Sequence, residues 1–174
     1  MSLANDFYMY KDEIELIRAQ NLVECDLYSI IACIIRERKQ GNEISLRDVS
    51  VRRKTNFSNQ YRGKLGFPDF VIRTRDKSND ADILGAVEVK YVDEDLDLEN
   101  HLEQLISHLD FYKRVIYTNG LKWRYYVIDE FQESNVLWEN ELGEIHNGKI
   151  FWNKEDKWAE LLGKLDGIKW SKKE

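Results

Sequence analysis

Apolar residues recur at a helical spacing in the N-terminal part of the chain. The pattern between about residues 14 and 39 predicts a helix that is broken or bent near Asn21. One face of this helix carries Glu24, Tyr28, Ile31 and Ile35. An acid on an apolar face costs free energy unless it is paired or binds a cation, although the helix dipole favours an acid at the rim of a helix start. Glu24 is therefore either an inward-facing ligand or a rim residue.

Short apolar runs separated by polar stretches follow this helix. Residues 41–64 are polar and basic and predict a loop with one short strand. Apolar runs predict strands at 69–74 and 83–92, and the polar segment 75–82 predicts the loop that joins them.

Helical spacing returns after the second of these strands. Residues from about Asp97 to Lys113 predict a helix that is capped by Asp95 or Asp97. The predicted buried face consists of Leu98, Leu102, Leu105, Ile106 and Leu109. One edge of that face carries His101, Gln104, His108 and Tyr112. The simplest interpretation of both histidines is a structural one, in which each is hydrogen-bonded at the rim of the buried face.

The last part of the chain predicts more strands and a final helix. Asn119-Gly120 divides residues 114–129 into two apolar runs, which is a strong hairpin signal. A strand at 136–140 and a short amphipathic helix at 154–165 follow. The order of helix, strands, helix, strands and helix predicts an α/β fold with a central mixed β-sheet flanked by α-helices.

Length and composition indicate a globular protein. With 174 residues, 43% hydrophobic and 12% aromatic, the chain can bury a core as a single domain over residues 1–174. The longest apolar run, 27–35, is too short to span a bilayer, and no secretory signal pattern is visible. Cys25 and Cys33 lie eight positions apart in one helical stretch, roughly 12 Å and too far for a disulfide. We therefore expect a reducing, cytoplasmic location.

Charge is distributed unevenly within a net charge of −6. Residues 47–64 are strongly basic, whereas residues 93–110 contain seven acids and no lysine or arginine. This polarity suits a protein with one basic face and one acidic face. Two unrelated solvated stretches would give the same pattern.

Glu88-Val89-Lys90 is an acid-x-lysine triplet, and its surroundings distinguish it from chance. The chain contains three such triplets, about as many as its composition gives at random, and the other two lie in charged helical segments. Glu88 and Lys90 instead alternate with apolar residues, so a strand places both on one face of a sheet. A simple buried ion pair is the structural explanation. That explanation leaves out Asp69, at the start of the preceding strand, which converges on Glu88 if the two strands pair.

Two carboxylates that lie close together require a cation between them or a proton on one of them. Oxygen ligands with open positions suit Mg²⁺, which keeps several waters and binds phosphate. Such an ion activates a water and offsets the charge that develops on a phosphate. With Lys90 beside it, this set of residues is sufficient for phosphodiester hydrolysis and needs no nucleophilic serine or cysteine.

Pro68-Asp69, a loop, and Glu88-Val89-Lys90 on an apolar strand resemble the signature of the PD-(D/E)XK nuclease superfamily. Gln104 and His108, four residues apart on the next helix, are similar to the Gln-x-x-x-Tyr motif of the N-terminal nuclease domains of type I restriction enzyme motor subunits. The segment 117–126 resembles the Thr-Asn-Gly…Trp segment that follows in those domains. The resemblance covers about residues 20–130, with 131–174 as an extension, and it departs from the family at His108, where tyrosine is usual.

This resemblance implies a restriction-endonuclease-like core and a nuclease that depends on Mg²⁺ or Mn²⁺. It implies Asp69 and Glu88 as metal ligands with the Val89 carbonyl as a third, and Glu24 is the candidate for a further ligand. Lys90 would be the catalytic lysine. Gln104 would help to place Lys90 or the DNA backbone, and the role of His108 stays open.

The basic run before Asp69 is expected to hold the nucleic acid, with DNA as the expected substrate. The residues predicted to contact nucleic acid are Arg52, Arg53, Lys54, Arg62, Lys64 and His108. A homodimer and a partner motor or specificity subunit are both compatible with such a nuclease, the oligomeric state stays open, and no membrane is expected. The alternative is a catalytically silent nucleic-acid-binding or protein-interaction subunit of a restriction or phage-defence system.

Overall fold

The computed structural model describes residues 3–21, 23–51, 59–128 and 134–171. A short 3-10 helix, Leu3–Asn5, comes first. The α-helices in these ranges are α1 (Phe7–Gln20), α2 (Asp26–Arg36), α3 (Glu99–Tyr112) and α4 (Glu155–Asp166). The strands are β1 (Ile44–Asp48), β2 (Phe70–Thr74), β3 (Ile83–Val89), β4 (Arg114–Thr118), β5 (Lys122–Ile128), β6 (Ser134–Glu141), β7 (Gly143–His146) and β8 (Lys149–Trp152).

Strands β1 to β6 form one sheet in chain order, and β7 and β8 form a separate two-stranded sheet. Neighbours in the large sheet are antiparallel except β3 and β4, which are parallel and are joined through α3. A parallel pair needs such a crossover because its two strands run in the same direction. The predicted fold class, α/β with a central mixed sheet flanked by helices, is confirmed.

Each face of the large sheet has its own core. On one, called the apolar face, residues such as Ile72 and Val87 pack against α1, α2 and α4. On the other, called the α3 face, Val71 and Ala86 pack against α3. Because side chains alternate along a strand, Glu88 belongs with Ala86 on the α3 face, as the spacing predicted.

The first predicted helix is broken at Asn21, as expected, but it begins earlier. Asp6 caps α1 by accepting hydrogen bonds from the backbone N–H groups of Tyr8 (3.0 Å) and Met9 (3.1 Å). Helix α2 begins at Asp26, so Glu24 lies in the preceding turn and not within a helix.

Helix α3 is present, but its predicted buried face and cap are partly wrong. Leu98 and Ile106 are exposed, whereas His101 and His108 are buried, because the helix packs through the edge that carries the histidines. The carboxylate of Asp97 does not cap the helix. It accepts hydrogen bonds from Arg124 on β5 at 2.6 and 2.9 Å, and Leu98 occupies the N-cap position without a side-chain cap.

The hairpin at Asn119-Gly120, strand β6 and helix α4 are confirmed, and the β7–β8 hairpin was not predicted. Its turn, Asn147-Gly148, has positive φ values of 48° and 74°. The same Asn-Gly signal that identified the first hairpin was present here. Both cysteines are free thiols. Among the described residues, no helix is both long enough and apolar enough to cross a membrane.

The loop between β2 and β3 leaves the sheet at the end opposite Asp69. Its residues 75–80 are all exposed. The end of the sheet where β2 begins and β3 ends is therefore the end that carries the predicted site.

Candidate active site

Asp69 is fixed directly beside Glu88 at this end of the sheet. The pairing of Phe70 with Val87 puts Asp69 next in register to Glu88 on the neighbouring strand. The Asp69 carbonyl accepts a hydrogen bond from the N–H of Val49 at 2.9 Å, and its carboxylate Oδ2 accepts one from the N–H of Val89 at 2.7 Å. The main chain on both sides thus sets the position of this carboxylate, which is only 8% exposed.

Lys90 is the centre of the cluster. Its ammonium donates to Oε1 of Glu88 at 2.7 Å and to Oε1 of Gln104 on α3 at 2.8 Å. The backbone N–H of Lys90 donates to the carbonyl of Thr118 at 2.8 Å, which ties the residue to the end of β4. Lys90 is 6% exposed and Glu88 is 3% exposed, so the ion pair is buried. An ammonium has three donors, and these two side-chain contacts use two of them.

His108, which the sequence predicted as a nucleic-acid contact, lies inside the cluster. The side chain is fully buried, with 0% exposure, so its ring has no surface to offer a nucleic acid. The Nε2 atom instead lies 3.2 Å from Oε2 of Glu88. Neither atom makes a hydrogen bond of normal geometry to any group in the described part of the chain. The histidine therefore faces the second oxygen of the carboxylate whose first oxygen binds Lys90.

Tyr28 also belongs to this cluster, although the sequence did not predict it there. Its hydroxyl donates to Oδ1 of Asp69 and lies 2.9 Å from Oε1 of Glu24, and its ring packs edge-on against Phe70 with the centroids 5.4 Å apart. Glu24 is half-buried and reaches Asp69 through this hydroxyl. The available signal was the spacing of four residues between Glu24 and Tyr28, which puts the two side chains on one side of the chain.

The cluster holds more negative charge than its surroundings favour. Burial, together with the charge of the neighbouring Glu88, raises the pKa of Asp69 to about 8, despite the opposing effect of the hydrogen bonds from Tyr28 and Val89. Burial also raises the pKa of Glu24 and of the Tyr28 hydroxyl. A hydroxyl has one hydrogen, so Tyr28 cannot donate fully to two ionised carboxylates at once. Uptake of a proton or of a cation would relieve this excess.

The donor set fits a hard divalent ion in part. Asp69 and Glu88 are adjacent carboxylates, and Oε2 of Glu88 is buried without a hydrogen-bond donor of normal geometry among the described residues. Mg²⁺ is commonly held by one or two carboxylates while it keeps several waters. No group of three or more His, Cys, Asp or Glu side chains within the described ranges is arranged to hold a metal. The fit is thus to two carboxylates with a main-chain oxygen such as that of Val89, and Glu24 lies one hydroxyl away.

The hairpin at Asn119 positions the loop that follows Lys90. The Asn119 amide donates to the carbonyls of Val92 (3.3 Å) and Glu94 (3.0 Å), and its oxygen accepts from Leu121 (3.0 Å) and Lys122 (2.8 Å). The Thr-Asn-Gly segment therefore has a structural role beside the site.

The structure describes two of the five basic residues that were predicted to bind nucleic acid. Arg62 and Lys64 are exposed on the segment before β2. Arg52, Arg53 and Lys54 lie outside the described residues.

Comparison with known proteins identifies the fold and no family. No protein-family model and no curated protein matches the sequence. A similar solved structure is that of a DrdV–DNA complex determined by cryo-EM, with a TM-score of 0.55 and 14% sequence identity. The match covers 96% of this chain and 14% of the DrdV chain, so this chain spans about one seventh of the length of its structural neighbour. At this identity the likeness concerns the fold.

Proposed function

We propose that this chain is a metal-dependent nuclease of the PD-(D/E)XK type that hydrolyses phosphodiester bonds in DNA. The observation that carries the proposal is the position of Lys90. Its buried ammonium is held between Glu88 and Gln104, and Glu88 lies beside Asp69. All four predicted catalytic residues therefore meet at one end of the sheet.

The comparison supports the choice of DNA. The solved structure with a similar fold is a complex with DNA, and almost the whole of this chain matches a part of that protein.

Each side chain has a definable part in this function. Asp69, Glu88 and the Val89 carbonyl would hold Mg²⁺ or Mn²⁺, which when bound would supply an activated water and offset charge on the phosphate. Lys90 presents a fixed positive charge, and a preorganised charge in a water-poor site stabilises the negative charge that develops in a transition state. Gln104 fixes the direction of the Lys90 ammonium through its 2.8 Å contact.

A cleavage assay with matched variants tests the proposal. Linear, circular and single-stranded DNA and RNA are incubated with Mg²⁺ or Mn²⁺ and the protein. Asp69→Asn and Lys90→Gln should each lower the cleavage rate by at least about 100-fold, because each removes a charge that the reaction uses. Asp12→Asn on α1 and Lys154→Gln before α4 change exposed residues in the same way and should leave the rate unchanged.

Two results would contradict this proposal. Cleavage that survives Asp69→Asn or Lys90→Gln would exclude the mechanism. Binding of DNA by the unchanged protein without any cleavage would favour the catalytically silent alternative.

A further inference from the structure

The segment before β2 ends in a tight turn with an apolar tip. We call residues 61–66 the Leu65 turn. Gly63 and Gly66 exchange backbone hydrogen bonds of 2.8 and 3.3 Å, which leaves Lys64 and Leu65 at the tip. Gly66 has a φ of +123°, a conformation that favours glycine. Leu65 is 58% exposed, so its side chain projects from the turn.

Helix α3 anchors this turn at two points. The N–H of Leu65 donates to Oγ of Ser107 at 3.0 Å, and the hydroxyl of Tyr112 donates to the carbonyl of Tyr61. Ser107 and Tyr112 are both buried. The position of the tip is therefore set by the helix that also carries Gln104.

The Leu65 turn lies next to the candidate active site. A methyl group built on Gly63 would lie 3.8 Å from Nδ1 of His108. The opposite ring nitrogen of His108 lies 3.2 Å from Oε2 of Glu88. A single imidazole ring thus separates the backbone of the turn from the carboxylate that binds Lys90.

The chemistry of the tip fits nucleic acid better than protein. Arg62 just before the tip and Lys64 at the tip are both exposed, in a protein with a net charge of −6. Exposed cations bind backbone phosphates without regard to sequence. Apolar side chains such as leucine can insert between stacked bases, but the unstacking costs free energy at each base step. Where a base face is already exposed, a leucine can contact it without that cost.

We propose that the Leu65 turn selects nucleic acids that expose a base face. This inference rests on the nuclease function proposed above and names its substrate class. Arg62 and Lys64 bind phosphates, and Leu65 packs on the exposed base of a gapped, mismatched or single-stranded site. Continuous duplex offers the same phosphates, but it exposes a base face only at the cost of unstacking.

Binding measurements with two exposed leucines test this proposal. The affinity of the protein for a gapped duplex and for a continuous duplex of the same length is measured by fluorescence anisotropy, without divalent ions so that no cleavage occurs. The unchanged protein should prefer the gapped duplex by roughly three- to tenfold. Leu65→Ser should remove this preference without changing the affinity for continuous duplex. Leu137→Ser, at a residue on β6 with 59% exposure, should keep it.

Further variants separate the roles within the turn. Leu65→Met retains an apolar tip and should restore the preference. Arg62→Ala and Lys64→Ala should each weaken binding to the gapped and to the continuous duplex by the same factor. Each should also reduce the slope of log affinity against log salt concentration by about one. An unchanged melting temperature of Leu65→Ser would show that the fold is intact.

The outcomes distinguish this inference from the function on which it rests. A preference that is absent in the unchanged protein, or that Leu65→Ser leaves intact, overturns the inference. If cleavage still depends on Asp69 and Lys90, the proposed function stands without it. If the Leu65-dependent preference is found but no DNA is cleaved, the turn binds as proposed and the nuclease function falls.

Discussion

Both faces of the large sheet bury an apolar core, but the α3 face also carries buried charged side chains at one end of the sheet. On the apolar face, Ile72 and Val87 pack with α1, α2 and α4. On the α3 face, the same pair of strands ends at Asp69, Glu88 and Lys90. Apolar burial stabilises a fold in proportion to the area removed from water, whereas buried charges cost free energy unless every partner is in place. The apolar cores stabilise the paired strands, which allows a cluster of buried charges at one end of the sheet to be kept at a cost in free energy.

The largest expected effect comes from breaking the charged cluster. Lys90→Met cannot donate to Glu88 and leaves that carboxylate buried beside Asp69. We expect the free energy of unfolding at pH 8 to fall by about 3–5 kcal/mol in a urea titration. The double variant Glu88→Leu/Lys90→Met should recover most of this loss without recovering cleavage. A double variant as unstable as Lys90→Met would show that packing, and not charge, explains the loss.

The second effect tests the apolar face. Leu161 on α4 is fully buried in that core. Leu161→Ala should lower the free energy of unfolding by about 2–5 kcal/mol through the lost apolar contact and the cavity. Cleavage per folded molecule should not change. The exposed Leu137→Ala serves as control and should stay within about 0.5 kcal/mol of the unchanged protein. A lower cleavage rate per folded molecule of Leu161→Ala would show that packing on the apolar face also affects the site.

A smaller effect, of opposite sign, is expected at Asp69. The folded protein raises the pKa of Asp69 from 3.8 to about 8. Between these values the unfolded chain is ionised while the folded protein keeps a proton, so stability without metal falls as the pH rises from about 4 to about 8. Asp69→Asn has no carboxyl to ionise, so it does not lose stability in this way as the pH rises. The variant should therefore gain stability over the unchanged protein across that range and exceed it by at least about 1 kcal/mol at pH 8, or about 2–4 °C in Tm.

Thermal melts at several pH values measure this gain. Asp12→Asn, at an exposed acid, should follow the pH dependence of the unchanged protein. Adding Mg²⁺ at pH 8 should raise the Tm of the unchanged protein and leave that of Asp69→Asn unaffected, because binding to the folded state alone stabilises it. Identical pH curves for Asp69→Asn and the unchanged protein would contradict this prediction.

The smallest effect is expected at the hydroxyl that joins the cluster to Glu24. Tyr28→Phe keeps the ring against Phe70 and removes the contacts with Asp69 and Glu24. The loss should be about 0.5–1.5 kcal/mol in a urea titration. Tyr8→Phe, on the exposed surface of α1, should be neutral. A neutral Tyr28→Phe would mean that the hydroxyl adds nothing to the site without its ligands.

The alternation of side chains made much of this cluster predictable. A period of two placed Glu88 and Lys90 on one face, and the adjacent apolar run at 69–74 supplied the neighbouring strand. The Asn119-Gly120 turn was equally direct, since it depends on local backbone conformation. Whether the cluster binds metal or cleaves DNA stays a prediction.

Features that depend on distant partners were not predictable. Asp97 suits a helix cap by local pattern, yet it pairs with Arg124, which lies 27 residues away along the chain. The pattern on α3 allowed two packing edges, and the sheet selected the one that buries His108. Tyr28 gained its contact with Asp69 across 41 residues, which no local spacing contains.

The two loops that flank β3 differ in how much added length they can accept. The exposed residues 75–80 lie at the end of the sheet away from Lys90, whereas the segment 91–98 is tied down by Asn119 and Arg124 and sets how far α3 stands from the cluster. A fluorophore or an inserted binding module is therefore best attached at 76–78, where the covalent change is remote from the chemistry. The same insertion at 93–95 would move Gln104 away from the ammonium that it holds.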